Sequence, residues 1–395
     1  MKRFGLLARI ITAIILGVAI GSFSNDWFIR FFATFNGIFG NFLTFIIPLI
    51  ILGFITPGIG EMGRGAGKLL SVTAALAYTS TIIAGIIAFF TAKSLYPTLL
   101  NGQSLQAFTD PTAGLSEAFF SIDMTPPMEV ITALLLSFVI GIGIAAIRSN
   151  TLLNIAIDFR QIVELVIEKV IIPLLPFHIF GIFANMTHAG QVATILSVFA
   201  KVFIMIIVLH ILYLVVQYAV AGSVSKQNPF MMLRKMAPAY FTALGTQSSA
   251  ATIPITLKHT KNIKARENTA DFTVPLLANI HLSGSTITLL SCSLAVLFLQ
   301  GETITFGSIL PFLLMLGVTM VAAPGVPGGA VMAAIGLLKE MLHFDPTMLS
   351  LMIALYLAQD SFGTACNVTG DGAITVITDS ISDKFNITDT DKTKA

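Results

Sequence analysis

The sequence predicts an all-α membrane protein built from eight transmembrane helices and two re-entrant helical hairpins. Three observations carry that expectation. The 395 residues are 55% hydrophobic and only 11% charged, with a mean hydropathy of +0.88; a soluble domain carries about 25% charged residues. Runs such as "IITAIILGVAIGSF", "FLTFIIPLIILGFI", "VTAALAYTSTIIAGIIAFF", "ITALLLSFVIGIGIAAI" and "VFIMIIVLHILYLVVQYAVA" are long enough, or nearly so, to cross a hydrocarbon core of about 30 Å as helices. Two later segments, "YFTALGTQSSAATIPITL" (240–257) and "VTMVAAPGVPGGAVMAAI" (318–335), are too interrupted for plain helices.

Taken in order, the first half reads as six spans over about 5–22, 36–57, 68–93, 129–147, 162–187 and 196–222, joined by short loops except around 96–126. After Val224 the pattern becomes a repeated unit, an interrupted segment followed by an apolar run with polar residues at its middle. The first such run is "VPLLANIHLSGSTITLLSCSLAVLFL"; the second leads through "AQDSFGTACNVTGDG" (358–372) into "AITVI". Paired interrupted segments at corresponding positions point to the binding site of a secondary transporter.

Charge sets the expected orientation. Lys2, Arg3, Arg64, Lys68, Arg148, Lys226, Arg234 and Lys235 fall in alternate connections, whereas 96–126 holds Asp110, Glu117 and Asp123 and neither Lys nor Arg. The positive-inside rule then makes both termini cytoplasmic and that loop external, in a plasma or inner membrane. No small-residue cleavage site follows the first run, so no cleaved leader is expected. The net charge of +2 comes without a basic stripe or aromatic platform for nucleic acid, and two cysteines, Cys292 and Cys366, suggest neither a disulfide framework nor a zinc site.

A broken helix frees backbone N–H and C=O groups at membrane depth, where each costs several kcal/mol unless protein, water or a solute satisfies it. In "GTQSSAATIP" the hydroxyls can cap freed donors between Gly245 and Pro254. In "PGVPGG" Pro324 and Pro327 remove donors, while Gly325, Gly328 and Gly329 permit reversal. Close packing of small residues and a Pro–Gly kink would explain either segment alone; two at matched positions favour hairpins that line a site.

Asp360 and Asp371 are eleven residues apart, about three helical turns and roughly 16 Å of rise, on one face. Thr364 and Asn367 share that face. Such a stripe must turn to protein or water; it is either a structural seam or a place where two acids meet a cation or ammonium from outside. His281 lies among Asn279, Ser283 and Ser285, and both a structural and a functional role remain open for it. His178 and His210 read as structural, and Asp158, Arg160, Glu164, Glu168 and Lys169 as a solvated or inter-helix face. An intramembrane aspartyl protease needs two carboxylates within a few ångströms sharing a proton, which three turns of separation forbid. Neither HExxH nor GxSxG occurs, and the lack of a repeated filter motif argues against a channel. The chain reads as a transporter, not an enzyme.

The order of six spans, hairpin, span, hairpin, span, with "QSSAATIP", "PGVPGG" and "DSFGTACNVTGD", resembles the dicarboxylate/amino acid:cation symporter family, the glutamate transporter homologues, over nearly the whole chain. The resemblance implies inverted repeats and an elevator-type homotrimer. Its fixed scaffold would comprise 1–60 (spans 1–2) and 96–195 (the external loop and spans 4–5). Its transport domain would comprise 61–95 (span 3) and 196–380 (span 6, hairpin 1, span 7, hairpin 2, span 8), with 381–395 a cytoplasmic tail. By position, Asp360 matches the residue for a substrate α-ammonium, Thr364 its support, and Asn367 the ligand of the α-carboxylate. Ser248 and Ser249 match the first hairpin's tip, and Ser285, Val326, Pro327 and Gly328 complete the implied substrate set.

Departures carry information too. Gly363 and Gln247 stand where members that take acidic substrates have an arginine, and the "NMDGT" signature reads "HLSGS", His281 to Ser285. The serine/threonine:sodium branch is similar in lacking that aspartate and in its "QDS". The resemblance therefore implies a small neutral amino acid such as serine, threonine or alanine, with a dicarboxylate or acidic amino acid as the alternative. Sodium would be the coupling ion, bound by Asp371 with Asn367, His281, Leu277 and Asn279 of the seventh and eighth spans. A further site at Thr79 and Ser80 has lost its acid to Ser283 and is expected to be weak or absent. A proton carried by His281 is the rival coupling ion.

Overall fold

The computed structural model describes residues 6–62, 67–100, 116–147, 150–190, 192–323 and 328–384. Among them the regular elements are helices and there is no strand. In order they are α1 (Leu6–Gly21), α2 (Asp26–Met62), α3 (Gly67–Leu99), α4 (Val130–Ile147), α5 (Asn150–Val166), α6 (Ile172–His188) and α7 (Val192–Ser225), followed by α8 (Pro229–Thr246), α9 (Ser249–Asn262), α10 (Glu267–Ile280), α11 (Ser283–Leu299), α12 (Phe306–Ala322), α13 (Gly329–Leu342) and α14 (Pro346–Lys384). Among the described residues, five stretches are long and apolar enough to cross a bilayer: Asp26–Gly60, Leu69–Leu99, Asn150–His188, Leu196–Ser225 and Glu267–Leu299. The tail from 385 and the tip residues Pro324, Gly325, Val326 and Pro327 lie outside the described residues.

Two spans start ten or more residues before the apolar pattern suggests, at Asp26 and Asn150. α2 starts at Asp26 rather than near 36, because the Asn25 carboxamide accepts from the Phe28 N–H at 3.0 Å and Asp26 puts a charge in the first turn. α5 and α6 join through one π turn, Ile167–Ile171. Pro173 has no N–H for the carbonyl four residues back, and the ladder slips by one, the Ile172 N–H reaching the Ile167 carbonyl.

The seventh apolar run is not a single helix. It breaks at His281–Leu282, whose backbones are extended or irregular, and so divides into α10 and α11. α14, in contrast, is continuous through both aspartates. Every residue of α11 except Phe298 is buried. α11 lies against α3, α7 and α14, and α14 also packs on α8, α9 and α10. α2 packs on α4, α5 and α6, and α1 on α6. Large apolar side chains face outward on the peripheral helices, among them Ile15 of α1, Val139 of α4 and Ile204 of α7, as a hydrocarbon surround requires.

Candidate functional site

The first interrupted segment is a helical hairpin with a two-residue tip. Asn228 caps α8, accepting from the Phe230 and Met231 N–H groups at 3.0 and 3.1 Å, and Pro229 supplies a first-turn residue with no donor to satisfy. α8 closes with Gln247 left-handed at φ 55°, and Ser248, extended, caps α9 by accepting from the Ala251 N–H at 3.2 Å. The break is therefore narrower than the Gly245–Pro254 interval, since both of those residues stay inside helices. The limbs are antiparallel: Lys235 Nζ donates to the Asn262 carbonyl at 3.0 Å. Gln247 and Ser249 are buried and Ser248 half-buried.

In the second interrupted segment α13 begins after Gly328, left-handed at φ 75°. Its N–H donates to Asp360 Oδ2 at 2.7 Å. The buried Asp360 carboxylate thus sits at a helix N-terminus, where backbone donors and the helix dipole favour an anion. Val326 and Pro327, expected to line the substrate site, fall outside the described residues.

One and two turns further along α14, Thr364 and Asn367 are also buried. Asn367 Oδ1 accepts from the Gly284 and Ser285 N–H groups at 2.7 and 3.3 Å, and its Nδ2 donates to Ser285 Oγ at 2.9 Å. One carboxamide therefore caps α11 from across the interface, satisfying donors that the break at 281–282 releases. Gly363 lies against Gly284 and Thr288.

The third cluster surrounds Asp371. His281 Nδ1 lies 2.8 Å from Asp371 Oδ1, both side chains being at most 1% exposed. His281 Nε2 lies 3.0 Å from Ser80 Oγ and 3.4 Å from Gln217 Nε2. Tyr213 donates to the Ser80 carbonyl at 2.6 Å, and its oxygen is 2.9 Å from Ser80 Oγ. Two glycines make room: a Cβ on Gly370 would stand 2.7 Å from Gln217 Oε1 and 3.0 Å from His281 Cε1, and one on Gly372 2.8 Å from both Met236 Cε and the Tyr218 hydroxyl. "TGDG" is thereby a close-approach sequence for α7 and α8.

The sequence-derived residues thus separate. Ser80 and His281 meet Asp371, but Thr79 is exposed, and Asn279 is exposed with its amide on the Pro275 carbonyl at 2.9 Å. Leu277 is buried, and its carbonyl accepts from the His281 N–H at 2.9 Å. The residues missed by sequence reasoning are Tyr213 and Gln217 of α7. The signal was present: His210, Tyr213 and Gln217 fall at helical spacing in an otherwise apolar run, and intramembrane polar residues on one stripe face the interior. His210 Nε2 lies 3.0 Å from the Gly284 carbonyl and 3.2 Å from Thr288 Oγ1.

Three interhelical polar joints are set where helices break, at Asp360, Asn367 and Asp371 of α14. A family model described as the sodium:dicarboxylate symporter family matches residues 6–381. With nearly the whole chain so matched, this multi-pass membrane protein, a transporter and not an enzyme, belongs to the sodium:dicarboxylate symporter family.

Proposed function

We propose that the chain is a symporter for a small neutral α-amino acid, driven by sodium and working by alternating access. The observation that carries this reading is the buried Asp360 carboxylate at the start of α13, on the same α14 face as Thr364 and Asn367. A substrate ammonium entering there replaces the Gly328 N–H as the partner of Asp360, so that both donor and acceptor carry charge. The α-carboxylate would take the Asn367 amide and the N–H groups near the start of α11. A side-chain carboxylate would find neither guanidinium, since the two arginine positions hold Gly363 and Gln247, and an unpaired anion in a dehydrated site is costly.

The packing of α2 with α4, α5 and α6, and of α14 with α7 to α11, supports a division into scaffold and transport domains. Homotrimeric assembly and cytoplasmic termini are carried from the family resemblance and the charge pattern. Asp371 with His281 is the coupling locus. The deciding experiment is uptake by proteoliposomes under a sodium gradient: serine, alanine or threonine is expected to outrun aspartate, and the reverse order overturns the reading. The family's description favours a dicarboxylate as the second reading. Asp360→Asn separates the two, because it should abolish uptake of an ammonium-bearing substrate and spare that of a diacid.

A further inference from the structure

The geometry points to Gln217 of α7 as an oxygen ligand of the coupling cation, in a site shared with the free carboxylate oxygen of Asp371. This rests on the reading of Asp371 as the coupling locus and adds a residue from a different helix.

Gln217 is 5% exposed, inside the apolar run "ILYLVVQYAVA". Its Nε2 donates to Ser80 Oγ at 3.0 Å and faces His281 Nε2 at 3.4 Å. On its other side the imidazole meets Asp371, His281 Nδ1 lying 2.8 Å from Asp371 Oδ1. Two buried oxygens next to it, Asp371 Oδ2 and Gln217 Oε1, have no hydrogen-bond partner among the described residues. Gln217 Oε1 is pressed toward α14 at Gly370, the residue before Asp371, where a Cβ would fill the gap at 2.7 Å. Each orphaned buried acceptor costs about 1–3 kcal/mol. A hard monovalent cation the size of sodium answers both oxygens, and hard cations take oxygen ligands. Gln217 therefore supplies its carbonyl as a ligand, while its amide nitrogen is held by Ser80 and faces His281.

The test begins without any organic substrate. Purified protein in detergent is titrated with sodium chloride against choline chloride, and the shift in apparent melting temperature gives a sodium affinity. Gln217→Leu should weaken that affinity about tenfold, equivalent to about 1.4 kcal/mol, and raise the sodium half-saturation of serine uptake by the same factor. The serine KM at saturating sodium should stay within about twofold. An unchanged sodium response in Gln217→Leu, or a loss that falls equally on serine KM, overturns the assignment. If the variant does not fold, hydrogen exchange on the wild-type chain decides: sodium should slow exchange around 213–221 of α7, and protection confined to α10, α11 and α14 refutes it. A wild type indifferent to sodium in both assays and driven by a pH gradient alone also overturns it. Substrate choice is measured separately, so an aspartate-preferring chain with a sodium-sensitive Gln217 would sink the amino-acid reading and leave this one standing.

Discussion

The crossing of α11 and α14 contains two glycines for which the structure predicts opposite outcomes. A Cβ on Gly284 would stand 2.4 Å from the Gly363 carbonyl oxygen, 2.6 Å from Cys366 Cβ and 3.2 Å from Asn367 Oδ1. Non-bonded heavy atoms are comfortable at about 3.5 Å, so the helices must separate by about 1 Å, and the obstructing oxygen belongs to the backbone and cannot rotate away. Overpacking of this kind costs about 3 kcal/mol, and alanine returns about 1 kcal/mol through helix propensity. Gly284→Ala is therefore expected to lose about 2 kcal/mol, and more where the displacement also breaks the Asn367 cap. A Cβ on Gly363, facing the same crossing, would meet Thr288 Oγ1 at 3.5 Å and Gly284 backbone atoms at 3.6 Å, which is ordinary contact. Gly363→Ala should be neutral or stabilising by up to about 1 kcal/mol. Thermal unfolding of the two variants in one detergent, followed by binding of a thiol-reactive dye to Cys292 and Cys366, both buried and free, ranks them. Equal stabilities, or Gly363→Ala as the weaker, would refute the placement of the crossing.

Three further outcomes follow from the same contacts. Asn367→Ala leaves the Gly284 and Ser285 N–H groups without their acceptor and should cost about 2–4 kcal/mol, read as a lowered melting temperature alongside lost uptake. Arg266→Ala removes a pair with Asp379 at 2.7 Å, but the arginine is 41% exposed, so screening limits the loss to about 1 kcal/mol and uptake should persist. Gly363→Arg places a guanidinium beside the proposed substrate side chain and should raise aspartate uptake relative to serine in proteoliposomes; a ratio that does not move would count against that pocket.

The all-helical class, the two interrupted segments and the continuous last helix were legible because each rests on local chemistry: apolar length, Gly–Pro–Ser punctuation and the 3.6-residue period. The break at His281–Leu282 was not, since neither residue is a helix breaker and the interruption depends on Asn367 reaching across from α14 to cap Gly284. The same limit applied to Gln217. Its position in an apolar run was visible, but its partners Ser80 and His281 lie 137 and 64 residues away in sequence, and no periodicity reports such a meeting. Thr79 and Ser80 are adjacent in sequence, yet only Ser80 turns inward, because neighbouring helical positions point about 100° apart.

The last helix carries acids, an amide and glycines together because the two kinds of residue solve one problem. Gly370 and Gly372 let α7 and α8 come near enough that Gln217, Tyr218 and Met236 touch the α14 backbone. Gly363 and Gly284 do the same for α11. At these crossings Asp360, Asn367 and one oxygen of Asp371 meet protein partners, the Gly328 N–H, the start of α11 and His281, while Asp371 Oδ2 has no partner among the described residues. Each answer comes from a different element, α13, α11 and the α10–α11 break. On the proposed reading, a solute or cation that takes over one of these bonds would act on the packing of another helix against α14, and binding at the polar stripe would bias the position of the elements that cover it.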